Sequence, residues 1–161
     1  MPIESDLLRQ AMRAWATGVT IVTSKHANVT HGMTVSSFTS ISVEPPHVLV
    51  SIATNARTHN LIQQAGVFGI TILSAAQQEL SDRFAGRVPD EMDRLAGLDT
   101  FTLETGVPLL AGGLANFDCR VVQTYRSGTN TLFIGAVVAA RANTESDPLL
   151  YFNRGYRKLA E

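Results

Sequence analysis

A single cysteine among 161 residues excludes an internal disulfide framework and fits a reducing compartment. Charge is scarce too: 17% of the residues are Asp, Glu, Lys or Arg, against roughly 25% in an average soluble protein. That shortfall predicts that part of the protomer surface is covered, most simply in a twofold homodimer. A net charge of −1 leaves no basic footprint, so neither nucleic acid nor an anionic membrane is an expected partner. No apolar run approaches the roughly 20 residues that span a bilayer. The acidic opening MPIESDLLRQ lacks a signal-peptide core, and the expected location is the cytoplasm. Four histidines, at 26, 31, 47 and 59, have no metal-ligand spacing and no adjacent cysteine, so no metal site is expected. The sequences G-x-S-x-G, Walker A, H-E-x-x-H and G-x-G-x-x-G are also missing.

What is present is mostly strand. Residues 6–16 read as a helix with Leu8, Met12 and Trp15 on one inward stripe, Ser5 as N-cap and Gly18 as stop. GVTIVTS has the β-branched composition of a strand. KHANVTHG reads as a turn and MTVSSFTSISV as extended chain ended by Pro45-Pro46. HVLVSIA (47–53) reads as a central strand, 56–66 as a short helix and VFGITIL (67–73) as another strand. Ser74 and Gln77 form a capping box opening a helix over 75–85. Residues 86–113 are loop-rich, with one short strand near FTLET. LANFDCRVVQTYR and TLFIGAVVAARA are long strands joined at the tip SGTN. SDPLLYFNRGYRKL closes the chain, with Gly155 breaking an element. About seven strands, few helices and no β-α-β alternation predict a mainly β fold, an antiparallel barrel in one domain over 1–161.

Six of the nine residues from Thr34 to Ser42 carry a hydroxyl, directly before the apolar HVLVSIA run. This is either the solvent face of a strand or a cradle for a planar polar ligand. In NARTHNLI, Arg57 and Thr58 open a helix just after a strand. Free N–H groups, the helix dipole and a guanidinium converge there on an anion, or the segment is an ordinary first turn. Arg83 and Arg87 flank Phe84 in DRFAGR. Cys119 alternates with Ala115, Phe117 and Val121 and reads as a small core hydrophobe.

Taken in order, ATGVTIVTS, HGMTVSSFTSISVEPPHVLVSI, NARTHNLI, DRFAG, LFIG and DPLLYFNRGYRKL resemble the short-chain flavin reductase family. These are the reductase components of two-component flavin-dependent monooxygenases, and the resemblance runs from about Met12 to Leu159. It implies a split Greek-key β-barrel homodimer that binds FMN or FAD at the dimer interface. Hydride would pass from NADH or NADPH to the flavin, and reduced flavin would go to a separate monooxygenase. Carried over, Thr34, Val35, Ser36, Ser37 and Phe38 would line the isoalloxazine ring and ribityl chain, over Ser51, Ile52 and Ala53. Asn55 joins the same set, with Arg57 and Thr58 on the phosphate. Phe84, Ala85 and Gly86 would meet the adenine side or the phosphates, and Arg154, Tyr156 and Arg157 a dinucleotide. Short hydroxyl side chains suit such a ring, because they bond its N–H and C=O edge while losing little entropy.

The resemblance breaks at one tip. Most such proteins have Gly-Asp-His before the last long strand, with the histidine on the nicotinamide. Here Thr129 and Asn130 occupy the Asp and His places. Position 136 is alanine where a polar residue is frequent. Asparagine can orient a carboxamide but cannot carry charge near neutrality. The expected activity is therefore NAD(P)H:flavin oxidoreduction with Asn130 orienting the nicotinamide. The alternatives are a flavin carrier with weak or no reductase activity, and a split-barrel module without flavin.

Overall fold

The computed structural model describes residues 1–87, 92–143 and 145–160. Helix α1 (Ser5–Met12) leads to the short strand β1 (Thr17–Gly18) and the hairpin β2 (Thr20–His26) and β3 (Val29–Val35). A second hairpin, β4 (Phe38–Ser42) and β5 (His47–Ala53), is followed by α2 (Arg57–Ala65) and β6 (Val67–Ile72). A 3-10 turn (Ala75–Gln77) runs into α3 (Gln78–Phe84), and β7 (Thr100–Phe101) pairs with β8 (Leu109–Leu110). The long hairpin β9 (Ala115–Ser127) and β10 (Asn130–Ala142) precedes the small hairpin β11 (Leu150–Phe152) and β12 (Gly155–Arg157).

Seven strands make one antiparallel sheet in the order β3-β2-β6-β9-β10-β5-β4. Its two edge strands, β3 and β4, are consecutive in the chain, with only Ser36 and Ser37 between them. Three Cα steps span at most about 11 Å, so the sheet must curl until its edges meet. The product is the antiparallel barrel expected from the sequence, split along the β3/β4 seam where no ladder forms. The hydroxyl-rich loop therefore lies at the seam.

Inside the barrel, Val22, Val50, Ile52, Phe68, Ile70 and Phe133 pack with Ile62 of α2. Phe68 fits because position 135 has no side chain: a Cβ on Gly135 would lie 2.6 Å from Phe68 Cζ and 2.9 Å from Cys119 Cβ. A second core, outside β2 and β6, joins Ile21, Leu73 and Phe84 to Tyr151 and Tyr156 of the small hairpin. Strand β2 separates the two cores, which is why Thr20 to Ser24 are all buried instead of alternating. Its buried hydroxyls have partners: Thr20 Oγ1 donates to the Val35 carbonyl at 2.6 Å and Ser24 Oγ to that of Val67 at 2.8 Å.

Several local expectations are corrected. Helix α1 is capped at Glu4 without a side-chain bond and ends at Met12, while Gly18 belongs to β1. Its apolar stripe does not face inward: Leu8, Met12 and Trp15 are 52%, 56% and 68% exposed, since no strand among the described residues packs over them. The turn after β2 is limited to Ala27 and Asn28, with Ala27 at φ 52°. The extended run after it is interrupted at Ser36–Ser37, and the loop-rich region contains two short strands, not one. Gly155 starts β12; the break is the turn at Asn153 and Arg154, both at positive φ.

The early part of β9 is buried on both faces. Cys119 faces the barrel as expected, but Asp118 on the opposite face is fully buried as well. Its carboxylate accepts the Glu104 and Thr105 N–H groups at 2.7 and 2.8 Å and the Thr105 hydroxyl at 2.5 Å. Three donors satisfy this buried side chain, and it anchors the loop carrying Val107 and Leu109 onto β6.

Candidate functional site

Two neighbouring cavities open at the seam. The larger, about 650 Å³, has a serine wall of Ser36, Ser37 and Ser51, with Phe38, Thr39 and Leu49 beside it. Its opposite wall comes from α1 and the small hairpin: Arg9, Met12, Arg13, Trp15, Tyr151 and Arg154. The smaller, about 410 Å³, is lined by Thr34, by Asn55, Arg57 and Thr58 at the start of α2, and by Phe84, Ala85 and Arg94. Thr34 and Ser36 are two residues apart on one strand end, so a single elongated ligand can reach both spaces.

Hydrogen bonds fix the serine wall. Ser37 Oγ donates to the Ser51 carbonyl at 2.7 Å, and Ser51 N–H returns a bond to the Ser37 carbonyl at 3.1 Å. Strand pairing places Asn130 opposite Ala53, and Asn130 Nδ2 donates to Ser51 Oγ at 3.0 Å. The tip is held further by Thr54 N–H, which donates to the Thr129 carbonyl at 2.9 Å. A tip residue 79 positions from Ser51 thus meets the hydroxyl cluster directly. With its amide nitrogen committed to Ser51, Asn130 accepts a long bond from the Thr129 hydroxyl at its Oδ1, 3.4 Å away.

The smaller cavity has anion-binding character. The α2 N-cap is Ala56, without a side-chain cap bond, so the first-turn N–H groups keep their capacity to donate. Arg57 adds a guanidinium there. Thr58 is fully buried and lies 2.8 Å from His31 Nδ1; when the imidazole nitrogen donates, the threonine hydroxyl hydrogen remains available to a ligand. Arg94, only 8% exposed, donates from Nη1 to the carbonyls of Gly32 and Phe84 at 3.0 and 3.1 Å.

Other candidate residues lie differently. Val35 and Ile52 are buried in the barrel core and support the serine wall from behind, while Ala53 is half-buried at the end of β5. Thr34 spends its hydroxyl on the Ser81 carbonyl, 2.6 Å away. Gly86 is exposed at φ 82°, beside Arg94. Tyr156 faces α3: its hydroxyl donates to Asp82 at 2.9 Å and lies 2.7 Å from Ser81 Oγ. Burial, with Asp82 nearby, raises its pKa above the ordinary phenol value. Cys119 is pushed up to about 12 by burial, Asp118 adding to it, so it is no nucleophile at neutral pH. Sequence reasoning missed Arg9, Arg13, Trp15, His31 and Arg94 as cavity residues. The arginines lie in segments without a ligand motif, and the sequence around His31 has no metal-ligand spacing to mark it.

Fold and cavities together define a split barrel with a hydroxyl-edged chamber beside a helix terminus that has no side-chain cap. The chain belongs to the flavin reductase like domain family, whose sequence model matches residues 12–160. It is 39% identical over 155 residues to an NADH-dependent flavin reductase of a Rhodococcus species, covering 94% of this chain and 85% of the relative. It is 32% identical over 154 residues to the reductase component of 4-hydroxyphenylacetate 3-monooxygenase of Thermus thermophilus, covering 96% of each. The solved flavin reductase PheA2 in its native state superposes with a TM-score of 0.90 at 38% identity, over 99% of this chain and 100% of that one.

Proposed function

We propose that this single-domain protein is an NAD(P)H:flavin oxidoreductase that reduces FAD or FMN and supplies the reduced flavin to a separate monooxygenase. The observation that carries this reading is the Ser37–Ser51–Asn130 hydrogen-bonded wall beside an uncapped α2 bearing Arg57. The residues fit the group: the larger cavity offers a flat face and short hydroxyls, the smaller one N–H donors and a guanidinium for phosphate. Bound flavin supplies the two-electron acceptor for a hydride from the reduced nicotinamide. Ser36, Ser37 and Ser51 bond the polar ring edge, Phe38 covers its apolar part, and Arg57 with the α2 N–H groups holds the phosphate. Asn130, with its amide oriented by Ser51, holds the carboxamide of the nicotinamide so that the two rings stack. No covalent nucleophile is needed, because alignment and exclusion of water provide the rate.

The names of the Rhodococcus and Thermus relatives support NADH as donor and a partner oxygenase. Exposed Leu7 and Leu8 on α1, with exposed Val122, Tyr125 and Val138 on the long hairpin, support a homodimer that covers these surfaces. The free thiol of Cys119 suits the cytoplasm. The test is anaerobic titration of flavin-loaded protein with NADH and then NADPH, following flavin absorbance. Rapid bleaching by one of them is expected. Bound flavin that neither bleaches would instead mean a flavin carrier, the reading favoured by the Thr129-Asn130 tip.

A further inference from the structure

The tip of the long hairpin is supported from one side. Strand β9 pairs with β6 as far as Arg120, and the Val121 N–H still donates to the Gly66 carbonyl at 2.9 Å. From Val122 to Ser127 the strand is exposed, with β10 as its one sheet neighbour among the described residues. A two-stranded ribbon has little stability of its own. The place of Asn130 at its end therefore depends on what holds the first residues of β10.

Two consecutive residues there are clamped from opposite faces. Neighbouring side chains of a strand point to opposite sides. Asn130 donates to Ser51 Oγ on the serine wall, while Thr131, paired with Ile52 of the core, turns inward and is buried. Its Oγ1 lies 2.8 Å from His59 Nε2. His59 is 5% exposed, and its ring packs on Phe133, the next inward residue of β10, with 5.2 Å between ring centroids. The other ring nitrogen, Nδ1, has no partner among the described residues. A buried N–H without an acceptor costs more than an unused acceptor, which assigns the ring hydrogen to Nε2, donated to Thr131. His59 stands in the first turn of α2, directly after Arg57 and Thr58, and Ile62 further along that helix is fixed in the barrel core. The imidazole is thus a strut from an anchored helix to the strand that carries the tip.

We propose that His59 is a positioning residue: through the Thr131 hydroxyl it sets the hairpin tip, and with it the place of Asn130 against the nicotinamide. This rests on the reading that Asn130 meets the nicotinamide carboxamide. His59 itself lines neither cavity, so it acts on the reaction through the strand.

Four variants test the strut. Thr131→Val removes the hydroxyl and keeps the branched shape suited to a strand, whereas Thr131→Ser keeps the hydroxyl. His59→Gln places an amide nitrogen where Nε2 stood, whereas His59→Asn reaches only as far as Nδ1. The first readout is amide hydrogen exchange of Thr54, whose N–H donates to the Thr129 carbonyl of the tip, in flavin-free protein. The second is calorimetric titration of FMN-saturated protein with NAD⁺. Thr131→Val and His59→Asn are each expected to raise the Thr54 exchange rate and the NAD⁺ dissociation constant about fivefold, the loss of one neutral hydrogen bond. Thr131→Ser and His59→Gln should stay within about twofold of wild type. FMN affinity should hold within about twofold in all four, because Arg57 and Thr58 share the first turn of α2 and would report any shift of that helix. Thr54 exchange and NAD⁺ affinity unchanged in Thr131→Val overturn the proposal. So does FMN affinity that falls in step with NAD⁺ affinity, which would make the pair a support of α2 alone. Asn130→Ala separates the two readings. Unchanged NAD⁺ affinity in that variant refutes the contact of Asn130 with the nicotinamide, and this proposal with it. Weaker NAD⁺ binding there, beside unchanged binding in Thr131→Val, refutes the strut alone.

Discussion

At the scale of single residues, the fold fixes Asn130 at the tip of the long hairpin through one bond to Ser51. Replacing Asn130 by histidine should raise kcat/KM for NADH and introduce an acid limb near the imidazole pKa. Steady-state kinetics from pH 5.5 to 9 check this, and an unchanged profile would remove Asn130 from the nicotinamide. Cys119 gives a second prediction. The folded thiol ionises near 12 and an unfolded one near 9.0, so between those values the native state retains a proton that the unfolded chain releases. The contribution is constant below pH 9 and is lost above it, by up to about 1.4 kcal/mol per pH unit. Denaturant midpoints at pH 8 and 10 should fall less for Cys119→Ala than for wild type, after allowing for its lower starting stability.

At the scale of elements, β9 shows how one strand serves two surroundings. Its inner face completes the barrel, and its outer face buries Asp118 as the anchor of the loop after β7. Asp118→Ala would leave two N–H groups without an acceptor and should cost about 2–3 kcal/mol in urea unfolding. Flavin affinity should be unchanged, because this loop lines neither cavity; a weaker flavin site would mean that the loop shapes the seam. The small hairpin has the opposite character. Tyr156 ties it to α3, and its turn extends Arg154 toward α1, so it is an arm that sets one wall of the chamber.

At the scale of the molecule, the split barrel leaves α1 and the far half of β9–β10 with apolar side chains on the outside. Such a surface is expected to be covered by a second copy. Sedimentation should give twice the protomer mass of 17.4 kDa. A Val122→Glu, Tyr125→Glu double variant on the long hairpin should move the protein toward monomer at micromolar concentration. A wild type that sediments as a monomer would sink the dimer and leave these residues for the partner oxygenase.

The sequence by itself determined the long barrel strands, the tip of the long hairpin, the capping box at Ser74 and the family motifs. Each depends on local periodicity or turn chemistry, which neighbouring residues carry. It also identified the serine cluster and the start of α2, because unusual composition and a strand-to-helix junction are visible along the chain. Only the tertiary structure decided that Asn130 meets Ser51, that Asp118 is buried, and that Arg9, Arg13 and Arg154 share a cavity. These depend on contacts between residues scores of positions apart, set by how the sheet curls on itself. The α1 stripe marks the limit most clearly. Its 3.6-residue period is legible in sequence, but the period says only that one face is apolar; what lies opposite that face is settled by the packing of every other element.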